Sequence, residues 1–410
     1  MSLVLNTNVS SLQAQNNLNK SSSELSTATE DLSSGLKINS AADNAAGYAI
    51  ATRFQTQIGG LSQASENASD AINLAQTASS GLSQITSNLQ SIRDLAVQAA
   101  NGTYTSSDRS AINTSVQQYL SEVTRIANQT TFNGTNVLNG SVSSLSFQIG
   151  SNVGQAINVQ LGQGATTSQI GQVSEISTAN LSGAFTNASG ATGQTISLSG
   201  LSIEGSDGQT YSLSGATASS AQGVADAINA AGIAGVSAAV NASGGINIFS
   251  TGDLAVTGAA LTGAAGTAFN LTSGAVAFGA SGDGSSATAI AATGAAYTDG
   301  SALSASGSLA GADVLTVDDA NKLIASIDSA LASVSTFSSN LGAVQNRFQS
   351  TISTLSAQQT NLTSSQSTIQ DTDFAATTAQ LSQAQVLQQA GISVLATANS
   401  NPQNILKLLQ

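Results

Sequence analysis

Cysteine, histidine and tryptophan are missing from all 410 positions, and proline occurs once. Each absence closes off chemistry. Without cysteine there is no disulfide and no thiolate nucleophile. Without histidine there is no imidazole base and no His-containing triad, and without both the usual structural zinc sites are out of reach. Catalysis would have to rest on carboxylates, lysine and tyrosine alone. The chain therefore reads as non-enzymatic, with no cofactor and no metal. A lack of thiols also suits a chain that travels unfolded, where stray disulfides would be a hazard.

Positive charge is scarce too. Nine Lys and Arg stand against 22 Asp and Glu, for a net charge of −13. The nine are Lys20, Lys37, Arg53, Arg93, Arg109, Arg125, Lys322, Arg347 and Lys407, so nothing between Arg125 and Lys322 is basic. Phosphate binding needs clustered cations, so nucleic acid is not an expected partner. The acidic surface reads as solvated, repelling anions and keeping a crowded assembly in solution. No run approaches the ~20 apolar residues of a membrane-spanning helix, so no membrane is expected. Met1 to Asn6 lacks the basic and apolar regions of a secretory signal peptide.

What is present is periodicity. Between Asn8 and Gly35 no proline or glycine intervenes, and Leu18, Leu25 and Leu32 fall a heptad apart, with Val9 and Leu12 starting the stripe. A second helical segment is expected from about Asn44 to Ala100, where Leu82, Ile85, Leu89, Ile92, Ala96 and Ala99 keep the alternating three-four spacing of a coiled-coil seam. Ser107 and Asp108 are expected to cap a third, with Ile112, Val116, Tyr119, Val123 and Ile126 on one face. After Asp318 and Asp319 the pattern returns at Ile324, Ile327, Leu331, Val334, Phe337, Leu341, Val344, Phe348, Ile352 and Leu355. Stripes of this length must find partners. One bundle built from both ends, with the centre inserted into it, satisfies them.

A last helix is expected from Phe374 to about Asn399, stopped by Pro402, with an apolar tail at Ile405, Leu406, Leu408 and Leu409. The centre, about 180–310, is rich in Ala, Gly, Ser and Thr. Alternation at Thr195–Leu198, Tyr211–Leu213 and Gly245–Phe249, around a helix at Ser220–Ala231, predicts a β-β-α-β-β module near 193–250. From 255 to 310 the pattern is weak. The fold class is thus mainly α at both ends, a coiled-coil and helical bundle formed jointly by the terminal segments, with a β-rich α+β domain inserted at the centre.

Several motifs together resemble the bacterial flagellins. They are Leu32 to Ala41 (LSSGLKINSA), Asp43 with Ala45-Ala46-Gly47, Leu89 to Asn101 (LQSIRDLAVQAAN), Gln129 to Leu138 (QTTFNGTNVL), Leu341 to Phe348 (LGAVQNRF), Leu387 to Gly391 and Pro402 to Leu406. The resemblance covers roughly 1–180 and 311–410, and a weaker one to a module of flagellins and hook-associated proteins covers 220–229 and 244–250.

It implies a structural subunit that is exported unfolded through the flagellar export apparatus, in the type III manner, and polymerises into the filament used for motility. The implied domains are 1–46 with 371–410 as an inner coiled coil, 47–180 with 311–370 as a tube domain carrying a short β-hairpin, and 181–310 as a variable surface domain. Implied partners are further copies of the chain, an export chaperone at the C-terminal segment, the filament cap, hook-associated proteins and toll-like receptor 5; the location is the extracellular flagellum. Polymerisation contacts are expected at Leu18, Leu25, Leu32, Leu89, Ile92, Leu341, Phe348, Leu387, Val394 and Leu406.

Positions matching the receptor-recognised surface are Gln90, Leu95, Gln98 and Glu122, with Ser91 standing where the strongly recognised pattern has arginine. The segment that plants recognise matches Lys37 to Ala51, with Ala42 and Asn44 in place of two charged residues; its structural reading is a tight connection in which Gly47 permits close approach. Asp43, Asp313, Asp318 and Asp319 show no cation-loop spacing, and Asp318 and Asp319 read as helix N-terminal charges. The alternatives are a hook–filament junction protein or minor flagellin, or a filament subunit whose insert also binds glycans or surfaces.

Overall fold

The first helix, α1, spans Val9–Ser34, and both of its ends are marked in the sequence. The Asn8 side chain accepts the Ser11 amide at 3.1 Å and caps the start. Gly35, at φ 76°, takes the left-handed conformation that ends it. The structure, a computed structural model, describes residues 8–186, 192–258, 261–262, 268–269, 271, 276–278, 295–296, 303, 305 and 307–408, with backbone alone at 261–262, 268–269, 276–278, 295–296 and 401–408. The side chains of Ile405, Leu406 and Leu408, all of Leu409, Tyr297 and Met1 to Asn6, and most of 255–310 lie outside the description.

The other helices are α2 (Ala45–Ala100), α3 (Ser106–Gln129), α4 (Ala221–Ala230), α5 (Val317–Gln370) and α6 (Phe374–Leu408). Every described strand falls between α3 and α5, so helical ends flank a strand-rich centre. By its contacts the chain forms two units, one from Met1–Ala68, Gln148–Ala156 and Ser350–Gln410, the other from Ser69–Phe147 and Ile157–Gln349.

In the first unit the chain turns between α1 and α2 around one carboxylate. Asp43 Oδ2 accepts the amides of Asn39 and Ser40 at 3.0 and 2.8 Å and the Ser40 hydroxyl at 3.1 Å. A Cβ on Gly47 would lie 2.6 Å from Ile38 Cδ1, so the absent side chain is what lets buried Ile38 fold over the start of α2. Residues 35–37 pair with 370–372: the Lys37 amide donates to Gln370 O at 2.8 Å, and the Thr372 amide to Gly35 O at 3.0 Å.

In the second unit the α2 seam is buried as its spacing predicts, through Leu82, Ile85, Leu89, Ile92, Ala96 and Ala99. The cap of α3 is Thr105 rather than Ser107: Asp108 lies inside the first turn, donates its amide to Thr105 Oγ1 and accepts the Thr105 amide in return. Its buried face is Ile112, Val116, Leu120, Val123 and Ala127; Tyr119 and Ile126 sit at the margin, because the true stripe is rotated one position from the expected one. Thr316 and Asp319 form the same reciprocal cap on α5. Arg93 on α2 meets Asp328 on α5 at 2.7 Å, which holds the guanidinium pKa above its ordinary value. An Asn-Gly turn, Asn133 φ 47° and Gly134 φ 77°, closes the hairpin Thr131–Phe132 with Thr135–Asn136.

The centre is built on a five-stranded antiparallel sheet in the order Val236–Val240, Ile246–Ser250, Ser174–Ser177, Val276–Phe278, Ala295–Ala296. Strand alternation divides its two faces. Ile176, Ile246 and Ile248 join Val224 and Ile228 of α4 in the insert's core, while Val173 and Phe249 pack on Ala325 of α5. The expected β-β-α-β-β order is incomplete. Within 193–250 four short strands precede α4, namely Ile196–Ser197, Leu201–Glu204, Thr210–Ser212 and Thr217–Ala218, and Leu201–Glu204 pairs with both Thr210–Ser212 and Ala255–Gly258.

Candidate assembly surface

The outer helices α1 and α6 run antiparallel along a seam of small and large side chains. On α1 the covered positions are Ala14, Leu18, Ser21, Leu25, Ala28 and Leu32; on α6 they are Thr377, Leu381, Ala384, Gln388, Gly391, Leu395 and Ala398. Both series alternate four and three, as a coiled coil requires. The small members carry the close approach. A Cβ at Gly391 would stand 3.3 Å from Leu18 Cδ1, and Ala14, Ser21, Ala28, Thr377, Ala384 and Ala398 are the fully buried members. Cross-links repeat along the pair: Gln388 Nε2 donates to Ser22 Oγ at 3.0 Å, Ser11 Oγ to Asn399 Oδ1 at 2.7 Å, and Asn8 Nδ2 to Ala398 O at 2.8 Å.

Pro402 does not stop α6, which continues to Leu408. Proline removes one amide hydrogen, the one that would bond the carbonyl four residues back. That carbonyl belongs to Ala398, and Asn8 supplies it with a donor.

Large apolar side chains are also left bare along the pair, most of them on α6. Of twelve exposed large hydrophobic residues among those described, seven are on α1 and α6: Val9, Leu12, Phe374, Val386, Leu387, Ile392 and Val394. Leu387 and Val394 share one flank of α6, a heptad apart. Ile392 lies on the other, Val386 faces away from the seam, and Phe374 extends the seam line at the start of α6, where it is exposed. Beyond Leu12 the exposed face of α1 is polar, so the bare apolar surface of the pair lies mainly on α6.

The expected polymerisation residues divide into groups. Leu18, Leu25 and Leu32 are half-buried in the seam, while Leu387 and Val394 are exposed. Leu89, Ile92, Leu341 and Phe348 are 0–1% exposed inside the second unit; their apolar surface is already spent on the fold, so they present nothing to a neighbour. Sequence reading passed over Val386 and Ile392, which fall off the heptad, Phe374, which stands one heptad before Leu381 at the start of α6, and the small seam residues, whose signal is a lack of bulk.

Two family regions match: "Bacterial flagellin N-terminal helical region" over residues 5–143 and "Bacterial flagellin C-terminal helical region" over 324–409. Full-length relatives include the B-type flagellin of Pseudomonas aeruginosa, 36% identical over 506 residues with 100% of each chain covered. The flagellin of Salmonella typhimurium is likewise 36% identical, over 496 residues with 100% of each covered. The chain belongs to the bacterial flagellins. Among solved structures, FliC from Burkholderia pseudomallei shows 29% identity over 68% of this chain and 99% of that one, with a TM-score of 0.37. This flagellin is a structural protein, an extracellular subunit of the flagellar filament.

In this flagellin the four receptor-matching positions lie in the second unit. Gln90 and Gln98 are exposed on α2 and Leu95 is half-buried beside them. Gln98 Nε2 donates to Tyr104 Oη at 3.0 Å. Glu122, on α3, is paired with Arg125, and the hydrogen bonds of that guanidinium are what lower its pKa. The neighbouring Ser91 turns its hydroxyl back to Ser87 O at 3.1 Å.

Of the four aspartates considered for a cation, Asp319 stands beside Asp313. Burial first, and then Asp319, push the Asp313 pKa up. Asp318 accepts the Ala242 amide at 3.0 Å. Among the described residues no cluster of three or more acidic side chains could hold a metal, and no helix is long and apolar enough to cross a membrane.

Proposed function

We propose that the free subunit leaves the cell unfolded, that its α1 and α6 segments stay unordered until they reach the filament tip, and that they order there by covering Val9, Leu12, Phe374, Val386, Leu387, Ile392 and Val394 with neighbouring copies. The single observation behind this reading is the apolar surface left bare on both flanks of the α1–α6 pair. Each such side chain gains roughly 1.5–3 kcal/mol on full burial, against an ordering cost of about 1–2 kcal/mol per backbone residue. Burial of these side chains by neighbouring copies adds to what the seam and the helical hydrogen bonds contribute, and so favours the ordered pair in a packed array.

The three-part division, with 1–46 and 371–410 innermost, 47–180 and 311–370 forming the tube, and 181–310 outermost, is part of the same reading. The bridge between 35–37 and 370–372 supports a boundary there. The strand Ser174–Ser177 lies within the central sheet, which argues for starting the outer domain before 181. The export apparatus, an export chaperone on α6, the filament cap, hook-associated proteins and toll-like receptor 5 are the partners this reading assigns.

Circular dichroism of the purified chain before and after growth from sheared filament seeds tests the proposal. A large helical gain on growth is expected. A subunit already fully helical in isolation would defeat it.

A further inference from the structure

Asn8 uses both ends of its side-chain amide. Its Oδ1 accepts the Ser11 amide at 3.1 Å and caps α1, while its Nδ2 donates at 2.8 Å to Ala398 O, the one carbonyl of α6 that Pro402 leaves without a helical partner. One turn further along α1, Ser11 Oγ donates to Asn399 Oδ1 at 2.7 Å. The start of α1 is thereby fastened where Pro402 interrupts the hydrogen bonding of α6.

Any other alignment of the two helices would take the Asn8 donor away from Ala398 O, a part-buried carbonyl that has no amide of its own helix to turn to. Most of the rest of the seam is small residues and leucines that recur every heptad, a pattern that by itself distinguishes poorly between alignments seven residues apart. The Asn8 contact does distinguish them, because α6 holds only one proline.

We propose that Asn8 is the positioning residue that sets the register of α1 on α6: its amide stands in for the hydrogen Pro402 lacks, so the two chain ends order together or not at all. This rests on the assembly reading above, and the test separates the two. The variants are Asn8→Asp, Pro402→Ala and the pair combined, each followed by the critical concentration for growth from sheared seeds of the unmodified filament. Aspartate caps a helix as well as asparagine does but has no hydrogen to give, so Asn8→Asp removes the donor and spares the cap.

Asn8→Asp is expected to raise the critical concentration about tenfold. Pro402→Ala returns an amide hydrogen to Ala398 O, and in that background Asn8→Asp should change growth less than about threefold. Wild-type growth by Asn8→Asp, or an undiminished defect in the Pro402→Ala background, overturns the proposal while leaving assembly intact. An unmodified chain that cannot grow from seeds overturns the assembly reading itself, and this inference with it. Unchanged melting of the second unit in all three variants shows that the body of the subunit is folded.

Discussion

Lys322 Nζ lies 2.7 Å from Glu175 Oε2, joining the first turns of α5 to the middle strand of the central sheet. The first cation after the basic-free stretch is thus spent inside the protein. Glu175 pairs in register with Phe249 on one side and Phe278 on the other, and its side chain is 8% exposed against 27% for Lys322. Removing one partner strands the other. Lys322→Met is expected to cost about 1–3 kcal/mol, read as a drop in the melting temperature of the second unit. The double variant Lys322→Met with Glu175→Leu should recover most of the loss, because a pair replaced on both sides leaves no buried charge. Equal loss in the single and double variants would show that the carboxylate is not what Lys322 serves.

Phe348 is fully buried on α5, and its ring meets Phe147 edge-to-face at 5.8 Å and 81°. The pair clamps the strand Ser144–Gln148 to the helix. Phe348→Ala should cost about 3–5 kcal/mol through lost burial and a cavity, whereas Phe348→Leu should cost much less. Chemical denaturation followed by tyrosine emission and circular dichroism measures both. A loss below 1 kcal/mol for the alanine variant would mean that the site collapses around the gap.

The helical ends were legible in the sequence because Leu82, Ile85, Leu89 and Ile92, like Val334, Phe337, Leu341 and Phe348, keep one period long enough to outweigh local noise. Asn8 and Gly35 mark α1 for a different reason: they are residues whose backbone and side-chain chemistry favours a helix end. The sheet was less legible where burial is polar. Ser174 and Glu175 are buried because strands on either side and Lys322 satisfy them, and no hydropathy pattern announces that. Leu201 and Ile203 do alternate, but at two to four residues such strands carry too few positions to stand out. The α1–α6 seam was half-legible. Its leucines repeat visibly, while Ala14, Ser21, Ala28 and Gly391 signal only by smallness, and the carbonyl that Pro402 orphans becomes visible only once Asn8 is seen beside it.

Acid should weaken the connections at two carboxylates. The amides of Ser40 and Asn39 hold the Asp43 pKa below the usual carboxylate value, and the Thr105 hydroxyl and amide do the same for Asp108. Their folded forms release the proton more readily than the unfolded chain. Their contribution is therefore complete above about pH 4, the unfolded value, and disappears as pH falls through the lower folded value. Asp313 has the opposite sign. Burial raises its pKa, so its ionised form is a burden at neutral pH that protonation relieves. Melting from pH 7 to 3 should show a shallower acid decline in Asp43→Asn and Asp108→Asn than in the unmodified chain. Asp313→Asn should melt higher than the unmodified chain at pH 7. Parallel acid limbs in all variants would place the acid sensitivity elsewhere.

At Ser91 the resemblance to receptor-recognised flagellins breaks. The hydroxyl is turned back onto Ser87 O and offers a receptor no planar donor set, which only arginine supplies. If the exposed strip with Gln90 and Gln98 is read by toll-like receptor 5, Ser91→Arg should increase potency in a reporter assay by about tenfold, the worth of one charge-assisted contact. Equal potency would remove Ser91 as the reason for any weak response.

Leu387 and Val394, at 43% and 57% exposure, are the most economical test of the bare flank. They sit beside the seam and outside it, so a polar residue there disturbs neither the α1 contact nor the folded body. Leu387→Glu and Val394→Glu each forgo an apolar burial of roughly 1.5–3 kcal/mol and add the cost of desolvating a carboxylate. Together they should abolish growth from seeds while leaving the melting of the second unit unchanged. Leu387→Met keeps volume and polarity and should grow normally. The contrast matters because Leu89→Glu or Phe348→Glu would also stop filaments, but by unfolding the subunit: loss of growth with the melting transition intact identifies a contact surface, and loss of both identifies a core. Normal growth by the double glutamate variant would mean that this flank stays in water in the filament, and that burial of α1 and α6 is driven from another side.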